Sequence, residues 1–153
     1  MLAPRSLSLG VSCTQGMGTK THAYLAVFDF GDDPDVVTAM MGMEPTKAWV
    51  KDEHYVTASP NARRTHSRWT IDSGLDETEP LEAHLSALLA RLEPQHAEIA
   101  EVAQRFPAHI GVAQYFYEVN PQFELEVDIL RRFARLGLPI NFDQYCLRAD
   151  EGS

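Results

Sequence analysis

The sequence predicts an α+β domain in which helices cover one face of a mostly antiparallel sheet. Three observations lead there. Short segments alternate apolar and polar side chains at a period of two, and others repeat apolar residues at three and four. The two kinds interleave as β-α-β-β-α-β-α-β instead of as strict β-α repeats. Turn chemistry based on Gly, Pro and Asn separates nearly every pair of segments.

The first strand is predicted at Ala23–Phe30. Tyr24, Ala26, Phe28 and Phe30 face one side and Leu25 and Val27 the other, so it reads as a central strand. A short helix follows, with Asp33 as N-cap, Pro34 at its first position, Val37, Met40 and Met41 as its stripe, and Gly42 as its stop. A second strand lies within 46–58 around Ala48, Trp49 and Val50. Ser59-Pro60-Asn61-Ala62 forms a turn, and His66–Ser73 alternates as a third strand. There Trp69 and Ile71 point inward while His66, Arg68, Thr70 and Asp72 point to solvent.

A long helical region spans Glu79–Phe106. Leu81, Leu85, Leu88 and Leu92 share one face, Pro94 interrupts the ladder, and Ile99, Val102, Ala103 and Phe106 resume it. Two consecutive helices or one kinked helix are expected. Ile110–Val119 is bulky on both faces and reads as an interior strand. A last helix at Glu124–Leu136 buries Leu125, Ile129, Phe133 and Leu136. It carries acids at its start, and Arg131, Arg132 and Arg135 at its end suit the macrodipole. Gly137 and Pro139 stop it before the final strand, Ile140–Leu147. The first six elements match a ferredoxin-like split β-α-β core, with a helix and a strand added C-terminally.

Length and charge bound the function. A chain of 153 residues is expected to hold one core, placed here at 22–148, with flexible tails at 1–21 and 149–153. Acidic side chains number 22 against 13 basic ones, a net charge of −9. That balance argues against nucleic-acid and polybasic membrane binding, both of which need a basic face. It suits a basic protein partner. The N-terminal region lacks the long apolar run of a signal peptide or membrane helix. Two separated cysteines, Cys13 and Cys146, suggest free thiols and a cytoplasmic protein.

The sequence leans away from an enzyme and implies no cofactor. No G-x-S-x-G, zinc-spaced His/Cys set or strand-to-helix glycine loop occurs. His84 reads as a partly buried, hydrogen-bonded histidine, and paired acids such as Asp32/Asp33 read as solvated surface. Trp49 and Trp69 read as core or hairpin packing.

Two groups remain as candidate binding residues. Arg63, Arg64, His66 and Arg68 form a local basic segment able to hold a carboxylate or phosphate, although pairing with the surplus acids would also explain it. Tyr115, Tyr117, Asp143 and Tyr145 would line one polar-aromatic surface if the last two strands are neighbours.

The stretches GDDPDVVTAMMGMEPTKAW, HSRWTIDSGL, GVAQYFYEV and LRRFARLGLPINFDQY, in this order, resemble the bacterial domain of unknown function 4279 family over roughly residues 23–148. The resemblance implies a small cytoplasmic α+β domain and assigns no catalytic residue. A non-catalytic protein-interaction or binding module is therefore the expected function. The alternatives are a small anionic-ligand or enzymatic domain using the Arg63–Arg68 strand face, and a structural homodimer.

Overall fold

The computed structural model describes residues 18–54, 62–117 and 119–147. Its elements are β1 (Lys20–Phe28), α1 (Asp35–Met41), β2 (Lys47–Trp49), β3 (Arg68–Asp72), α2 (Leu81–Leu92), a 3₁₀ turn (Glu93–Gln95), α3 (His96–Arg105), β4 (Ala108–Phe116), α4 (Val127–Leu136) and β5 (Ile140–Cys146). The sheet order is β2-β3-β1-β4-β5. β1 lies in the middle, antiparallel to both β3 and β4, and β2 runs antiparallel to β3. These four strands form the expected split β-α-β arrangement. α4 then returns the chain so that β5 runs parallel to β4, the pairing that requires a crossover.

Strand alternation sorts the side chains. Leu25 and Val27 of β1, Trp69 and Ile71 of β3, and Ile110 and Val112 of β4 join one buried cluster with the helices. That cluster takes Val37 and Met41 from α1, the predicted leucine stripe plus Leu89 from α2, Ile99 and Val102 from α3, and Ile129, Phe133 and Leu136 from α4. All four helices thus cover one face. Polar links also tie them to the sheet: the Trp69 indole N–H donates to Thr38 Oγ1 at 2.9 Å, Ser73 Oγ meets His84 Nδ1 at 2.6 Å, and Arg91 Nη1 of α2 donates to the Asp72 carbonyl at 2.7 Å. Pro94 sits in the 3₁₀ turn between α2 and α3, where its missing N–H ends the α2 ladder.

Several expected boundaries move. β1 begins at Lys20, inside the region read as tail, and ends at Phe28. Asp29 adopts φ 57°, which breaks the alternation and sends Phe30 into the core instead of onto the face of Phe28. Asp33 Oδ1 accepts the Asp35 N–H at 3.0 Å, and Gly42 closes α1 at φ 69°. β4 stops at Phe116, so Tyr117 lies past the strand. α4 starts at Val127 rather than Glu124, because Glu126 is still extended, yet Leu125 packs on the core. Arg132 does more than suit a dipole: its Nε and Nη2 donate to Glu93 at 2.8 and 2.7 Å, clasping α4 to the turn after α2. The proposed turn at 59–61, Cys13 and the distal tails at 1–17 and 149–153 lie outside the described residues.

Candidate functional site on the helix-free sheet face

Among the described residues no helix lies on the second face of the sheet, and the register places its side chains in rows. Trp49 and Arg68 are partners, and Arg68 is also opposite Phe28. Tyr24 lies between Asp72 and Gly111, His22 is opposite Ala113, and Ala113 is opposite Asp143. Tyr115 stands between Lys20 and Tyr145. A broad open groove of about 470 Å³ runs across this face, bordered by Trp49, Arg68, Tyr24, Tyr115, Asp143 and Tyr145.

One glycine makes the floor possible. A Cβ at Gly111 would fall within 2.5 Å of Tyr24 Oη and closer still to the ring carbons Cζ and Cε2. The bare backbone of β4 therefore lets the Tyr24 ring lie flat across the neighbouring strand, the arrangement by which an aromatic covers a strand glycine.

Arg68 occupies the centre of an aromatic surround. Its guanidinium lies 5.0 Å from the Tyr24 ring centroid, 5.6 Å from Phe28 and 5.7 Å from Trp49, while Nε donates to Thr70 Oγ1 at 3.1 Å. Among the described residues no carboxylate comes within 4.0 Å of it. Arg64 stacks over Trp49 at 3.8 Å. His109 stacks on Phe28 at 5.3 Å. Burial holds the His109 imidazole below its ordinary pKa, and Arg68 adds to that while Asp143 opposes it, so the ring is neutral near pH 7. Tyr115 and Tyr145 stack at 4.9 Å, and the Asp143 carboxylate pushes the Tyr145 hydroxyl above its usual pKa, keeping it a hydrogen-bond donor.

The two candidate groups of the sequence reading thus meet on one face. Arg68, Tyr115, Asp143 and Tyr145 line the groove. Arg64, His66 and Arg68 line a smaller concavity of about 180 Å³ with Phe28 and Trp49. Two candidates fall elsewhere. Arg63 Nη1 donates to the Asp52 carbonyl at 3.4 Å and borders neither concavity. Tyr117, past the strand end, accepts the Cys146 thiol on its carbonyl at 3.5 Å and also borders neither. His66 is off β3 and mostly exposed, 3.8 Å from Asp29. Trp69 is in the core as expected, whereas Trp49 is a wall of the groove.

Sequence reasoning missed Tyr24, His22, Lys47, Trp49 and Asp72 as groove residues. The parity of β1 held the signal for Tyr24, since Leu25 and Val27 claim the opposite side. The Ser73–His84 pair has the residue types of a nucleophile and base, but both are buried and neither borders a concavity described above. Burial also lowers the His84 pKa, so the ring is a neutral structural partner of Ser73. Among the described residues no three His, Cys, Asp or Glu side chains gather where they would hold a metal ion, and no helix is long and apolar enough to cross a membrane.

The family model for the domain of unknown function DUF4279 matches residues 19–147. The chain belongs to this family. Comparison with curated proteins and with solved structures finds no match. The DUF4279 span begins one residue before β1 and ends one residue after β5. It therefore includes every strand that builds the groove, and the fifth strand is part of the DUF4279 domain in this chain and not an appendage to it.

Proposed function

We propose that this DUF4279 chain is a non-catalytic binding module that receives a segment of a protein partner on the helix-free face of its sheet. The observation that carries this reading is the Arg68 guanidinium, which meets no carboxylate among the described residues and is held among Tyr24, Phe28 and Trp49 in an open groove with Tyr115 and Tyr145 on its far wall. Tyr, Trp and Arg are the residue types that concentrate binding energy at interfaces. The rings hold Arg68 in place before contact, so little side-chain entropy remains to be lost. Arg68 would take a carboxylate of the segment bidentately, and the rings would take flat apolar groups beside it. The breadth and openness of the groove favour an extended segment over an enclosed small molecule. The surrounding net charge of −9 would steer a partner whose periphery is basic, and a cytoplasmic location fits that reading.

Selection of displayed peptides against the full chain tests this. Bound peptides are expected to carry an acidic residue next to aromatic or apolar ones. Arg68→Ala and Trp49→Ala are each expected to weaken binding by about tenfold or more. Peptides that bind equally well to both variants, with their folds intact, would overturn the reading.

The smaller concavity supports a second reading. Arg64, His66 and Arg68 converge there on a space suited to a single anion. Titration with inorganic phosphate, followed by the His66 ring resonances, tests it. Shifts that persist in Arg68→Ala count against it.

A further inference from the structure

The two edges of the sheet differ in kind. β2 is three residues long and starts with Lys47, the short and charged form that discourages pairing. β5 is seven residues long, Ile-Asn-Phe-Asp-Gln-Tyr-Cys, with no proline or basic residue. Its backbone phase is fixed by its two ends: Ile110 N–H donates to the Pro139 carbonyl and Leu147 N–H to the Phe116 carbonyl. Odd-numbered residues therefore bond β4, and Ile140, Phe142, Gln144 and Cys146 turn their N–H and C=O groups outward. The side chains agree. Eight large hydrophobic side chains are exposed among the described residues, and all but Leu75 lie between 119 and 147, before and on α4 or on and after β5. Phe142, on the helix side of β5, stacks with Phe123 at 5.1 Å and both remain partly exposed.

We propose that a second copy of this chain pairs with β5, antiparallel about a two-fold axis, joining two five-stranded sheets into one. A two-fold axis makes each contact twice, so the strand must be complementary to itself. An axis through Asp143 would set two carboxylates directly opposite each other. An axis through Gln144 sets Gln144 opposite its own copy, Phe142 opposite the partner's Cys146, and Asp143 opposite the partner's Tyr145, so no like charges meet. The same axis runs the two α4 helices antiparallel. Each α4 has Glu126 and Asp128 at its start and Arg131 and Arg135 at its end, so the antiparallel order opposes acidic starts to basic ends. Asp143 and Tyr145 border the groove, so the pairing also makes the helix-free faces of two copies continuous. The inference does not depend on what the groove binds.

Sedimentation velocity of the full chain across its soluble range is the test. The expected result is a species of twice the chain mass, strengthened by salt because each copy carries −9. Gln144→Pro removes an outward N–H and none from the β4 ladder, so it is expected to give a monomer with unchanged far-ultraviolet circular dichroism. Should that variant lose its fold, Gln144→Cys in a Cys13→Ser, Cys146→Ser background decides. It is expected to form a disulfide-linked dimer on mild oxidation, because strand partners lie at disulfide distance, whereas Glu82→Cys on α2 is not. A wild-type chain that sediments as a monomer throughout overturns the proposal. So does a dimer that fails to crosslink through position 144.

Discussion

Gly111→Ala probes the seat of the Tyr24 ring, and its consequence has a sign that depends on a second residue. The added Cβ would lie within 2.5 Å of Tyr24 Oη, against an optimum of about 3.5–4.0 Å for such contacts, so the ring must retreat by roughly 1 Å or more. The obstruction is the far end of a side chain, not backbone, and the ring can yield by swinging off the sheet. Forced repacking of this kind costs about 1–3 kcal/mol. In a Tyr24→Ala background the three atoms nearest the added methyl group are gone, and replacing a strand glycine then stabilises by about 0.5–1 kcal/mol. The coupling between the two sites is therefore about 2 kcal/mol or more, within the range for residues in direct contact. Urea denaturation of the four proteins, each followed by circular dichroism, measures it. Gly111→Ala is expected to lower the midpoint in the wild-type background and raise it in Tyr24→Ala. Equal effects in both backgrounds would refute the claim that the glycine exists to seat the ring.

Leu88 on α2 is fully buried in the main cluster, so Leu88→Ala is expected to cost about 2–5 kcal/mol, read from the urea midpoint. Burial lowers the pKa of both His84 and His109 below the ordinary value near 6.5. The unfolded chain therefore binds more protons below that value. Stability is expected to be complete above about pH 6.5 and to fall as the pH drops beneath it, with the slope reduced in His109→Gln. Arg132 holds the Glu93 carboxyl below its ordinary value, so that contribution is present above about pH 4.5 and is lost on further acidification. Glu93→Gln is expected to flatten the acid limb of the stability curve. Acrylamide quenching is expected to resolve an accessible Trp49 from an inaccessible Trp69, and Trp49→Phe to remove the accessible fraction.

Local chemistry was the legible part of this chain. Asp33, Gly42, Pro94 and Gly137 act on the backbone within a turn of where they stand, so caps and breaks are readable from neighbours alone. The leucine stripe of α2 needs only its own period. Errors arose where a residue's role depends on something distant. Trp49 and Trp69 are the same residue type on paired strands, and only parity against a covered or bare face separates wall from core. Tyr117 continued an apparent alternation past Phe116, where the ladder to β1 and β5 had already ended. Strand parity alone puts Phe30 on the face of Phe28, but Asp29 turns the chain between them.

By itself the sequence determined the kinds and order of the elements, the split β-α-β core with its added helix and strand, and the excess of acids over bases. These follow from periodicity, capping and composition, which are properties of consecutive residues or of their sum. Only the tertiary structure decided that Arg68 stands among aromatic rings with no carboxylate of a described residue beside it, and that Tyr24 lies across Gly111. Among the described residues it also left β5 as a long unblunted edge. Those facts depend on which strands become neighbours and in what register, and register is set by packing between segments far apart in the chain. The basic segment at 63–68 and the tyrosines at 115 and 145 were each visible alone. Their convergence on one helix-free face required the central strand to bring β3 and β4 to its two sides.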